Sequence, residues 1–138
     1  MDPDNPIVRL CVEGMKAEGA GQPDRAHALF EQAWENARDD FERCVAAHYV
    51  ARHQATPEDT LLWNQESLRR AQAVERDKVQ AFFPSLYLNL GHSYEILGNH
   101  ERAGHYYDLA ADRSRHLSDD RYGYVVRDGI ARGKQRVG

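Results

Sequence analysis

The sequence has few of the features that mark secreted, membrane or disulfide-bonded proteins. Its 138 residues include only two cysteines, Cys11 and Cys44, and these have neither a metal-ligand spacing nor the number needed for a disulfide framework. No stretch approaches the roughly 18 apolar residues of a membrane span, and the opening MDPDNPIVRL lacks the basic and apolar regions of a signal peptide. We therefore expect a soluble cytoplasmic protein with no membrane partner.

The sequence also lacks a charge pattern suited to nucleic acid. It has 22 acidic and 18 basic residues, a net charge of -4, and the two signs are interspersed along the chain. Nucleic-acid-binding domains usually carry a basic patch and a high isoelectric point. The basic excess at Arg132, Lys134 and Arg136 is typical of a helix C-terminus, where cations complement the helix dipole. No nucleic-acid partner is predicted.

Motifs for catalysis are missing as well. The sequence contains no P-loop, dinucleotide glycine fingerprint, GxSxG or HExxH. His48 and His53 are five residues apart, which places them on different sides of a helix and not in the i, i+4 pair that suits zinc. We therefore predict no catalytic residues, no metal site and no cofactor, and the chain is not expected to be an enzyme. A site assembled between helices from His53, His92 and Glu95 stays open as an alternative, and it would make the chain a metal or small-molecule sensor.

The apolar residues recur with helical periodicity between clear start and stop signals. Pro23, Thr56-Pro57 and Asn99 mark helix starts. Pro84 either marks the first turn of a helix or kinks a helix that begins earlier, and we favour a helix begun by Val79 and bent at the proline. The predicted helices run from Pro6 to Glu18, from Gln22, from Phe41 to Gln54, from Thr56 to Glu75, from Asp77 to Gly98, from Asn99, and from Asp119 to Lys134, the last interrupted by Gly123 and Gly129. This pattern predicts an all-α protein.

One helix pair carries a set of small and aromatic residues that recurs earlier in the chain. In the later copy they are Tyr87, Leu90, Gly91, Tyr94, Ala103, Tyr107 and Ala110, and in the earlier copy Leu10, Gly14, Ala17, Ala26, Phe30 and Ala33. The offset from glycine to the first alanine of the second helix is 12 residues in both copies. We expect Gly91 and Ala103 to face each other where the two helices cross closely. The two copies are therefore in register.

This spacing resembles the signature of the tetratricopeptide repeat (TPR) family. The resemblance implies a right-handed superhelix of about three antiparallel helix pairs with a C-terminal capping helix. It would make residues 1–138 a single TPR-like domain, with repeats at about 7–40, 41–78 and 79–117 and the cap at 118–135. The central repeat lacks the strongest markers and must contain insertions.

The resemblance also implies a function, because stacked TPR repeats form a concave groove that holds an extended peptide or a partner helix. The family's groove positions fall on Glu18, Glu42, Val45, Tyr49, Arg52, His53, Leu88, His92 and Glu95. We therefore predict a protein-protein interaction module, an adaptor or regulatory scaffold whose partner is a protein or peptide. The alternative is a structural homo-oligomer, such as a homodimer, without a separate ligand, and Tyr122 and Tyr124 are candidates for self-association.

Overall fold

The computed structural model describes residues 2–138, and its regular elements are all helical. No β-strand occurs in this range. The helices are α1 (Pro6–Gly19), α2 (Pro23–Asn36), α3 (Asp40–Val50), α4 (Pro57–Gln72), α5 (Arg76–Val79), α6 (Phe83–Ile96), α7 (His100–Arg113) and α8 (Arg121–Val137), with single 3-10 turns at Ala51–His53 and Ser114–His116. The all-α prediction is confirmed.

Side-chain caps define several of the helix starts. Asn5 accepts hydrogen bonds from the amides of Ile7 and Val8 at 2.8 and 3.1 Å and caps α1. Thr56 caps α4 by accepting from the Asp59 amide at 3.1 Å, and Asn99 caps α7 in the same way. A cap of this kind contributes about 1 kcal/mol, because it satisfies an amide that has no partner inside the helix. The predicted starts at Thr56 and Asn99 are confirmed.

The prediction of one helix bent at Pro84 is wrong. Helix α5 ends at Val79, and α6 begins separately at Phe83, so that Pro84 lies in the first turn of α6. Proline has no amide hydrogen to donate, and the first turn is the one place in a helix where none is needed. Val79 and Phe83 are nevertheless buried, as their apolar character suggests.

The predicted interruption of the last helix is also wrong, since α8 is continuous over 17 residues. Its glycines make room for close contacts. A Cβ at Gly123 would overlap the Ser118 carbonyl oxygen, and one at Gly129 would lie 3.1 Å from Leu88 Cδ2. The cost of glycine inside a helix is thus offset by the approach that it permits.

The helices form two compact units, which are described separately. The first ends at Ala73 and contains α1 to α4, and the second covers Val74–Gly138 and contains α5 to α8. In the first unit α1 packs with α2 and α3 packs with α4, while α3 also contacts α1 and α2. In the second unit α6 packs with α7, and α8 contacts both of them.

A glycine lies against an aromatic ring at the centre of each unit. In the first, a Cβ on Gly14 would overlap the ring of Phe30. In the second, a Cβ on Gly91 would lie 2.7 Å from two ring carbons of Tyr107, and a Cβ on Gly133 would approach the same ring to 2.5 Å. The three atoms nearest to a Cβ added at Gly91 all belong to Tyr107, and the facing of Gly91 and Ala103 stays a prediction. Aromatic rings fill the space that the glycines leave.

No helix within residues 2–138 is both long enough and apolar enough to span a membrane.

Replacing Gly91 by alanine should lower the free energy of unfolding by about 1–3 kcal/mol, as overpacking in a core typically does. The Tyr107 ring cannot retreat from the added methyl group, since Gly133 lies against it as well and its hydroxyl is bonded to Glu95. Urea titrations followed by circular dichroism measure the effect.

The matched control is Gly104→Ala in α7, where the added methyl group would meet only the Val137 side chain at 3.7 Å. Helix propensity should make this variant more stable by up to about 1 kcal/mol. Equal stability of Gly91→Ala and the unaltered protein would show that the Gly91 contact is not tight.

Candidate functional site

Three predicted groove residues form a charged group in the first unit. Glu18, near the end of α1, accepts a hydrogen bond from Arg52 Nε at 3.0 Å, and its same oxygen lies 2.6 Å from His53 Nε2. The 3-10 turn after α3 brings Arg52 and His53 to this carboxylate, 34 and 35 residues away in sequence. Only Nε of Arg52 bonds to Glu18. The terminal amino groups of this half-exposed side chain have no hydrogen-bond partner within residues 2–138 and can donate to an incoming acceptor.

Aromatic rings pack next to this charged group. Phe30 stacks on Tyr49 with ring centroids 5.3 Å apart, and its centroid lies 5.6 Å from that of His53. His27 contacts His53 edge-on at 6.2 Å. Because Phe30 is the ring that lies against Gly14, the same contact that closes α1 on α2 also positions the predicted site residues Tyr49 and His53.

An exposed apolar stripe leads along α1 to the charged group. Val12 and Met15 are 37% and 38% exposed, high values for large apolar side chains. They precede Glu18 at intervals of three residues, which places all three on neighbouring positions of one helix face. The surface thus offers an adaptable apolar strip, including a methionine, that ends at an arginine and a histidine. Such a surface suits an amphipathic segment of another chain.

His48 is a buried histidine beside this site. It contacts Tyr49 edge-on, with ring centroids 5.0 Å apart. Burial, helped by the positive charge of Arg52, lowers the pKa of His48 to about 4. The imidazole is therefore neutral near pH 7, and its protonation would disfavour the folded state.

Glu42 and Val45, two other predicted groove residues, are buried and present no surface to a partner. Glu42 is 2% exposed and accepts a hydrogen bond from Asn5 Nδ2 at 3.0 Å. It also accepts two from Arg38, one from Nη2 at 2.8 Å and one from the backbone amide at 2.9 Å. The bonds from Arg38 hold the pKa of Glu42 down to about 2, against the effect of its own burial. Glu42 thus joins the start of α1 to the start of α3.

The structural role of Glu42 could have been predicted from its neighbours in the sequence, but the TPR resemblance assigned it to the groove instead. Asp39 caps α3 by accepting from the Glu42 amide at 2.8 Å, so the two acids have the spacing of a capping box. An acid at the third position of a helix is often held by local groups, and here Arg38, four residues away, is such a group.

In the second unit the predicted groove residues Leu88, His92 and Glu95 all lie on α6, but α8 contacts two of them. Leu88 packs against Gly129. Glu95 accepts from Arg136 Nε at 2.7 Å and from the Tyr107 hydroxyl at 2.7 Å. His92 is exposed.

The polar link between α6 and α8 was not predicted from the sequence. Arg136 is the main cause that lowers the pKa of Glu95, with Tyr107 and His92 adding smaller effects. Burial, followed by the bond to Glu95, raises the pKa of Tyr107 to about 12. Glu95 is therefore charged and Tyr107 neutral near pH 7, as an ion pair between α6 and α8 requires. Arg136 could not be paired with Glu95 beforehand, because they are 41 residues apart in sequence.

Groups suited to metal binding do not gather in the described part of the chain. No three histidine, cysteine, aspartate or glutamate side chains there are placed to hold a metal ion. Burial raises the pKa of both thiols, Cys11 and Cys44, to about 12, so neither is a thiolate near pH 7.

Comparisons with known proteins found no match among family models, curated proteins or solved structures.

Replacing His48 by glutamine should flatten the pH dependence of stability between about pH 6.5 and pH 4. The unfolded chain takes up a proton near pH 6.5, whereas the folded protein resists it until about pH 4. Stability should consequently fall as the pH drops through this window, by up to roughly 1.4 kcal/mol per pH unit. Urea titrations at several pH values measure the slope.

His100→Gln is the matched control, since His100 is exposed at the start of α7. That variant should keep the slope of the unaltered protein. A slope that persists in His48→Gln would assign the acid sensitivity to other groups.

Proposed function

We propose that this chain is a TPR-type scaffold that binds a peptide or helix of another protein on the surface shared by α1 and the 3-10 turn Ala51–His53. The observation that carries the proposal is the meeting of Glu18, Arg52 and His53 with the buried Tyr49, four residues chosen from the sequence as groove positions. They come from two helices and a turn, and they adjoin the exposed stripe of Val12 and Met15.

Repetition of the glycine-aromatic contact supports the repeat interpretation. Gly14 and Phe30 are separated by the same 16 residues as Gly91 and Tyr107, and each glycine lies against its ring. A repeated unit would produce two helix pairs that are held together by the same glycine-aromatic contact. A superhelix of three such pairs is part of the proposal.

The surface suggests how a partner would bind. Val12 and Met15 supply apolar contact area, and each fully buried side chain of this kind contributes about 1.5–3 kcal/mol. Arg52 can offer its terminal amino groups to a carboxylate or carbonyl oxygen of the partner. A bound segment would then have an apolar face over α1 and an acceptor group near the 3-10 turn. The chain would act as an adaptor or regulatory scaffold without chemistry of its own.

Met15→Asp and Arg52→Ala should each weaken partner binding by about tenfold or more. The first places a charge in the apolar strip, and the second removes the donor group at its end; a loss of about 1.4 kcal/mol corresponds to a factor of ten. A partner captured from source cells by the full chain is first identified and purified. Its dissociation constant is then measured by titration calorimetry against each variant.

Arg69→Ala is the control, because Arg69 is an exposed arginine of α4 that pairs only with Glu66 of its own helix. This variant should bind like the unaltered protein, and all variants should keep their helicity. If Met15→Asp and Arg52→Ala bind the purified partner as tightly as Arg69→Ala does, the surface formed by α1 and the 3-10 turn is not the binding site.

A further inference from the structure

Helix α8 has an apolar patch on the side that faces away from its own unit. Its inner face carries the buried residues Gly123, Val126, Ile130 and Gly133. On the opposite side Tyr124 is 69% exposed and Val125 is 54% exposed. Tyr122, by contrast, lies at the edge of the inner face, where its hydroxyl is bonded to Ser85. Tyr124 and Val125 therefore form the outer patch.

Charges of opposite sign flank this patch on the same helix face. Arg121 precedes Tyr124 by three residues and forms no ion pair within residues 2–138. Asp128 follows Tyr124 by four residues and has one ion-pair partner, Arg132 Nε, at 2.9 Å. Residues separated by seven positions lie on nearly the same side of a helix, two turns apart. Along its length the outer face thus carries a positive charge at Arg121, the apolar patch, a negative charge at Asp128 and a second positive charge at Arg132.

When a second α8 helix runs in the opposite direction, its charged and apolar residues are complementary to those of the first. If two α8 helices pair antiparallel about a two-fold axis between Tyr124 and Val125, Tyr124 of each copy meets Val125 of the other. The same register brings Arg121 of each copy to Asp128 of the other. A two-fold interface of this kind is isologous, so each favourable contact occurs twice.

We infer that the outer face of α8, formed by Arg121, Tyr124, Val125 and Asp128, is a self-association surface whose occupant is the α8 helix of a second copy. The argument for a second copy is charge complementarity. One helix carries both a cation that has no ion-pair partner within residues 2–138 and the anion that its reversed image requires, which in the single chain is paired with Arg132. The inference is independent of the proposed partner site, because no residue of α1 or α3 takes part.

The size of the surface sets the strength of the dimer. A helix of 17 residues is about 25 Å long, and a single helix pair covers less than the roughly 800 Å² per partner found in stable interfaces. The dimer is therefore transient, and it should form in the range of tens to hundreds of micromolar.

Sedimentation equilibrium of the full chain over a concentration series tests the dimer. The average mass should rise with concentration from 15.8 kDa toward twice that value. Tyr124→Ser should weaken association by tenfold or more. Leu62→Ser, which removes a leucine of similar exposure from α4, should leave association unchanged. Circular dichroism checks that each variant remains helical.

Two charge-reversal variants test the register in which the two α8 helices pair. Arg121→Asp and Asp128→Arg should each remain monomeric alone, because each places like charges opposite one another in the two-fold pair. A mixture of the two variants should associate about as tightly as the unaltered protein, since opposite charges then meet at both ends.

Several results would overturn the inference. They are a constant mass of 15.8 kDa up to millimolar protein, a dimer insensitive to Tyr124→Ser, and a mixture of the two charge variants that does not associate. An α8 face that instead captures only a helix of a different protein would overturn it as well.

Discussion

Both units of this protein depend on the close approach of a glycine to an aromatic ring on a neighbouring helix. Gly14 against Phe30 sets the distance between α1 and α2, and Gly91 against Tyr107 sets that between α6 and α7. Any side chain at either glycine would force the ring aside, and protein cores are too densely packed to absorb such a shift without cost. The fixed separation of the helices then decides which other residues can meet.

Each ring also connects the core of its unit to polar groups at the surface. Phe30 lies beneath His53, which is bonded to Glu18, and the Tyr107 hydroxyl donates to Glu95, which also binds Arg136. The two units thus share one arrangement. In each, an aromatic ring that packs against a glycine lies next to a carboxylate that is paired with a basic side chain. Ion pairs near a surface contribute little stability by themselves, so their main effect is to fix the register of the helices that they join.

The sequence predicts features that depend on neighbouring residues more reliably than features that depend on distant ones. The caps at Thr56 and Asn99 follow from a few adjacent residues and are present. Gly14 and Gly91 could be identified as close contacts because only a lack of side chain explains glycine at matched positions in two helices. The burial of Glu42 could not be read from family positions, because it depends on Asn5, 37 residues away.

Helix α8 shows why a residue type alone does not settle a structural role. Glycine lowers helix propensity, and Gly123 and Gly129 therefore predicted an interruption. In the folded protein, however, Gly129 and Gly133 lie against Leu88 and Tyr107, and that packing outweighs the cost in propensity. Because small residues bring the inner face of α8 close to α6 and α7, its larger side chains at Tyr124 and Val125 are left on the outside. The composition of the inner face thus determines which residues the outer face can offer to another molecule.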